Sequence, residues 1–174
     1  MNRPAPAKDI DELRAHFNAM YIGAIPQLLT EDGAFLAFLA TLTGTEALAG
    51  FFAPDQGAGL RFTRFVETFF PANLNERANE LWKFRNLMVH SFNPGPFALV
   101  CHQSRLHLTT QHGLVVLNAE DFYLALVGAS RGYFESLAND SDLQQKFARR
   151  LFDEDGGGIQ SFTMQRVQPN VDAA

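Results

Sequence analysis

Leu74-Asn75-Glu76-Arg77-Ala78-Asn79-Glu80-Leu81-Trp82-Lys83-Phe84-Arg85-Asn86-Leu87-Met88-Val89-His90 is the stretch from which the rest of the chain can be ordered. Projected at about 100° per residue, it separates into three faces of different chemistry. Glu76, Glu80 and Lys83 form a charged face suited to water, with Glu80 and Lys83 spaced for a helical ion pair. Leu74, Ala78, Leu81, Phe84 and Met88 form an apolar stripe, and Arg85 projects into its middle. An unpaired guanidinium is costly to bury, so Arg85 must reach the edge, pair with a carboxylate, or line a cleft or an interface. Asp121, Glu135 and Glu67 are available partners, and the sequence does not choose among them. The third face carries Asn75, Asn79, Trp82, Asn86 and His90, a row of uncharged polar groups around one indole. Asn86 and His90 are four apart and so stack on one side, while Arg85 on the neighbouring flank is long enough to reach around.

This helix is expected from about Ala72 to His90, stopped by Ser91-Phe92-Asn93-Pro94-Gly95-Pro96, whose prolines cannot continue it. Towards the N-terminus, Leu60 to Phe70 reads as a short helix closed by Pro71, after a loop over Pro54 to Gly59. Ala34 to Phe52 is almost wholly apolar, a buried helix or a helix pair interrupted near Thr43-Gly44-Thr45. Asp9 to about Leu29 repeats apolar residues at steps of three and four, an amphipathic helix whose last turn Pro26 should kink or shorten. Towards the C-terminus, Phe97 to Cys101, Arg105 to Thr109 and Leu114 to Leu117 are short β-prone runs that predict a small antiparallel meander. A helix from Asn118 or Ala119 to about Ala138 should turn Phe122, Leu126, Phe134 and Leu137 inward. A last one, capped by Ser141, carries Leu143, Phe147 and Leu151 at spacings of four. The expectation is one mainly α domain over residues 1–155, an up-and-down helical bundle with the meander inserted before the C-terminal helices. A flexible tail is expected over 156–174.

Composition narrows the classes of function. With 174 residues, 47% of them hydrophobic and 17 of them Phe, the chain can fill one sizeable core. One cysteine, Cys101, cannot form an internal bridge, and neither a leader nor a cleavage pattern follows Met1, so a reducing cytoplasm is expected. Polar or charged residues interrupt every apolar run before the roughly 18 to 20 residues of a membrane span, so no integral membrane protein is expected. A formal net charge of −5 argues against broad electrostatic binding of nucleic acid and leaves room for a local basic site. Phosphate-cradling glycine loop, nucleophile elbow and paired-carboxylate motif are all missing from the sequence. His102, His107 and His112 suggest zinc, but a spacing of five puts successive histidines on opposite faces of strands. They read as surface residues, Cys101 reads as a small buried hydrophobe, and neither a metal nor a cofactor is expected.

Arg85-Asn86, three apolar residues and His90, late on a helix of a compact helical domain, resemble the R-x4-6-H signature of the HEPN superfamily. Catalytic members of that family are metal-independent endoribonucleases that pair as homodimers, with an Arg and a His from each subunit in one composite cleft. Only Arg85, Asn86 and His90 carry over by position. The resemblance implies that His90 serves as general base or acid, Arg85 stabilises charge on the scissile phosphate, and Asn86 orients one of them. It implies a homodimer, for which the Trp82 side of the helix with Asn79 and Asn86 is the candidate interface. It also implies an RNA substrate, and a toxin or antiphage role with a nucleotidyltransferase-like antitoxin as partner. The meander lies outside the minimal family pattern. Two other functions stay open: a non-catalytic HEPN-like module for a nucleotide, RNA or protein, and a helical assembly domain in which Arg85 and His90 are salt-bridged across an interface.

Overall fold

The computed structural model of the chain describes residues 7–152. Seven α-helices occur among them: α1 (Ala7–Phe17), α2 (Ala34–Phe52), α3 (Ala58–Phe69), α4 (Ala72–Asn75), α5 (Ala78–Ser91), α6 (Ala119–Asn139) and α7 (Ser141–Phe152). A small sheet of β1 (Phe97–Val100), β2 (Thr110–Gln111) and β3 (Leu114–Asn118) lies between α5 and α6. The fold is mainly helical with a small β insertion, as the sequence pattern predicts. The expected tail over 156–174 lies outside the described residues.

Helix α2 is the axis of the packing and touches α3, α5, α6 and α7. Its largely apolar character follows from that position, since neighbours on several sides leave it little wet surface. It does not break at Thr43-Gly44-Thr45. The hydroxyls of Thr41, Thr43 and Thr45 bond back to carbonyls of the preceding turn at 2.8, 3.0 and 2.8 Å, so three polar groups are satisfied without leaving the helix. Gly44 serves close approach: a Cβ there would meet the Tyr21 ring at 3.0 Å and Leu126 Cδ2 at 3.1 Å. By length and composition alone α2 could cross a membrane, contrary to the expectation that no stretch comes close. Half of it is buried inside the protein.

The core is rich in rings in edge and tilted contact. Phe84 of α5 lies 6.0 Å from Phe38 of α2, 6.4 Å from Phe122 of α6 and 5.2 Å from Phe97 of β1, and so joins three helices to the sheet. Tyr133 of α6 is fully buried among Phe52, Phe65, Phe69 and Phe134, and its hydroxyl has no hydrogen-bond partner among the described residues. Burial pushes its phenol far above the ordinary range, so it stays neutral. Leaving such a hydroxyl unpaired costs free energy, and Tyr133→Phe should raise stability by about 1 kcal/mol in denaturant unfolding. A loss of similar size would mean that the hydroxyl has a partner.

Local chemistry corrects several boundaries. The first helix ends at Phe17, well before Pro26, in a wide π turn over Asn18–Ile22 and a tight 3-10 turn over Ile25–Leu28 that holds the proline in its first positions. The expected Ala72 to His90 helix is two, because Arg77 leaves helical geometry (φ −103, ψ 17) and donates its N–H to Leu74 O at 3.0 Å. Asn75 therefore drops out of the polar row of α5. Helix α7 is capped by Asp140 rather than Ser141: Asp140 Oδ1 accepts the N–H groups of Asp142 and Leu143 at 2.8 and 3.2 Å. Leu143, Phe147 and Leu151 are buried, as are Phe122, Leu126, Phe134 and Leu137 of α6.

The sheet is not an antiparallel meander. Strand order is β1-β3-β2, with β1 parallel to β3 and only β2 antiparallel to it. Arg105 to Thr109 forms no strand; a 3-10 turn over Ser104–Leu106 begins it instead. The thirteen residues from Cys101 to Gly113 give the chain the length a parallel return needs, in place of a hairpin.

Candidate functional site

Arg85 leaves the apolar stripe by pairing with a carboxylate the sequence reading did not consider. Its Nε and Nη2 both lie 2.6 Å from Glu46 Oε2 of α2, and the two side chains are each only 18% exposed. Its Nη1 donates to Asn86 Oδ1 at 3.1 Å. The guanidinium carbon also sits 5.5 Å above the Trp82 ring, a cation–π distance. Glu46 is the single ionisable residue of α2, and Arg85 the single cation of the α5 stripe, so two charges that neither helix could bury alone neutralise each other. Asp121, Glu135 and Glu67 are not partners of this arginine.

Trp82 is half-buried, 5.4 Å from the Phe62 ring of α3 and tight over Gly59, where a Cβ would meet the indole nitrogen at 2.9 Å. Its indole thus locks α5 to α3 while supporting Arg85. Asn79 is exposed and Asn86 half-buried. His90 is exposed on the last turn of α5, one turn beyond Asn86, and makes no hydrogen bond or ion pair with any described residue. The structure therefore brings Arg85, Asn86, Trp82 and Glu46 together and leaves His90 about 7.5 Å further along the axis from Arg85.

The end of α5 is apolar and strained. Phe92 takes a left-handed conformation (φ 51) as the helix cap, a cost of about 1–2 kcal/mol for a residue with a Cβ. The residue is 79% exposed, and its ring lies 6.4 Å from that of Phe35 in the first turn of α2. Val89 and Leu36 are exposed nearby in sequence, on the ends of the same two helices.

A second polar group lies where β1 and β3 end, and most of it was not singled out from sequence. Asp121 accepts from Ser104 Oγ at 2.7 Å and from Asn118 Nδ2 at 2.6 Å, while Asn118 N–H donates to His107 Nδ1 at 3.1 Å. That bond fixes His107 as the Nε2–H tautomer, and burial lowers its proton affinity despite the Asp121 charge nearby. His107 is thus half-buried rather than a surface residue, and with Asp121, Phe70, Leu74 and Leu124 it lines a cleft of about 520 Å³. His102 and His112 are exposed, and neither lies on a strand. Comparison of the chain with models of protein families, with curated proteins and with solved structures gives no match.

Proposed function

We propose that the chain is a HEPN-like endoribonuclease that works as a homodimer without a metal, with His90 and Arg85 as its catalytic residues. The observation that carries this reading is the exposed His90 imidazole, with no hydrogen bond to the described residues, on the face of α5 that also holds Asn86. Both ring nitrogens are open to substrate, as a group that moves a proton in each direction requires. His90 takes the proton of a ribose 2′-hydroxyl, the 2′-oxygen attacks phosphorus, and the bond to the 5′-oxygen breaks. The leaving oxygen receives a proton from a protonated His90 of the pair, so the products are a 2′,3′-cyclic phosphate and a 5′-hydroxyl. Arg85 still has N–H groups beyond those given to Glu46 and Asn86, and these donate to the non-bridging phosphate oxygens. Glu46 and Asn86 hold the guanidinium in place and are positioning residues.

To the expected interface of Trp82, Asn79 and Asn86 we add the exposed apolar residues Val89 and Phe92 at the end of α5 and Leu36 at the start of α2 as the surface for a second copy. With a net charge of −5 the chain attracts RNA only through local groups, which suits a toxin or antiphage component acting in the cytoplasm under control of an antitoxin. One observation favours a second reading. The Arg85–Glu46 pair neutralises the cation and ties α5 to α2, as a non-catalytic binding or assembly module would use it.

The reading is tested by incubating the purified protein in EDTA with an RNA oligonucleotide, its DNA counterpart and a 2′-O-methyl version. Cleavage of the RNA alone, giving 5′-hydroxyl ends, is expected. Cutting of DNA, or 5′-phosphate ends, contradicts attack by the 2′-hydroxyl.

A further inference from the structure

The parallel pairing of β1 with β3 sets Val100 beside Asn118, so the residues that follow both strands leave the sheet side by side. On one side come Cys101 and His102, and on the other Glu120 in the first turn of α6. Cys101 Sγ lies 3.3 Å from Glu120 Oε1, His102 Nδ1 lies 2.6 Å from the same oxygen, and one ligand atom from each of the three falls within 4.8 Å of the others. We propose that Cys101, His102 and Glu120 form a binding site for a divalent transition metal of zinc's class.

A thiolate, an imidazole and a carboxylate are the three donor types zinc takes in proteins, and softer than a calcium or magnesium site would be. Bonds of about 2.0–2.3 Å place tetrahedral ligand atoms roughly 3.3–3.7 Å apart. The sulfur–oxygen distance already fits, and the nitrogen–oxygen pair has to open by less than about 1 Å. The carboxylate is held for the purpose by the His102 backbone N–H, 3.2 and 3.1 Å from its two oxygens. That contact uses a left-handed His102 (φ 58), which turns the chain sharply after β1.

Binding replaces one proton. The Cys101 thiol gives up its proton to solvent, and the neutral His102 imidazole moves its proton from Nδ1 to Nε2, which frees Nδ1 for the metal without a net loss. His102 is 57% exposed, so the fourth position faces water or an external donor. Of the three histidines whose spacing argues against zinc in the sequence, only His102 belongs to this group.

The test uses the full chain and Co2+ as a spectroscopic stand-in for Zn2+. Cys101 is the one cysteine of the chain, so a thiolate-to-cobalt charge-transfer band reports on this site alone. One Co2+ per chain with that band is expected, displaced by Zn2+, with the band absent in Cys101→Ser. Affinity should fall about tenfold or more in His102→Ala and in Glu120→Gln, with circular dichroism confirming that each variant is folded. Cobalt bound without the band, a ratio of one metal to two chains, or affinities unchanged in folded His102→Ala and Glu120→Gln would overturn the proposal.

Discussion

Replacing His90 by Ala should lower RNA cleavage in EDTA by about 10²- to 10⁴-fold, the range that proton transfer by a positioned side chain contributes. Stability should not change, because His90 is exposed and holds no described partner. The combination is what distinguishes a catalytic group from a structural one. A variant that loses activity together with its melting temperature would show His90 to be part of an interface that holds the molecule together. A folded His90→Ala that cleaves at the wild-type rate would remove it from the mechanism altogether.

The largest effect on stability is expected at the pair joining α5 to α2. Arg85→Ala strands Glu46, and Glu46→Ala strands Arg85, in surroundings where each is 18% exposed. Breaking a fully buried pair costs about 3–5 kcal/mol, and the residual exposure brings the expectation for either variant to about 2–3 kcal/mol. In a chain of this size that is roughly a 5–10 °C fall in melting temperature. The double alanine variant should cost clearly less than the sum, since removing both charges leaves neither stranded. Arg85→Met combined with Glu46→Leu should restore most of the stability, because apolar residues of similar volume replace buried ion pairs at little cost. If that double variant folds and cleaves RNA as wild type does, Arg85 is structural and takes no part in the cleavage. If it folds and is inactive, the guanidinium acts on the phosphate.

Much of the helical frame follows from local pattern. The inward residues of α6 and α7 are legible because their spacing repeats over several turns against polar neighbours, and the buried α2 is legible because its apolar residues leave no wet face. Boundaries fail where a single residue decides. Arg77 breaks the helix before α5, and Asp140 caps α7 one residue ahead of Ser141. The parallel pairing of β1 with β3 was not legible because strand direction is a long-range property, and runs of four and five residues carry no signal for it.

The Arg85–Glu46 pair had a signal that could have been used. Glu46 is the single charge in the nineteen residues of α2, and a buried helix with one carboxylate requires a cation from elsewhere. Arg85, the single cation in an apolar stripe, has the matching need. Asp121, Glu135 and Glu67, by contrast, lie on helices with polar faces and have no such need. The Cys101–His102–Glu120 group had no comparable signal, since only the parallel register brings Glu120 to the end of β1.

The measurement that tests the central claim most directly is single-turnover cleavage of a mixed RNA pool by the wild-type chain in EDTA, with light scattering on the same sample. RNA fragments are expected from a particle of twice the chain mass of 19.4 kDa. A folded dimer that leaves every RNA intact would contradict it.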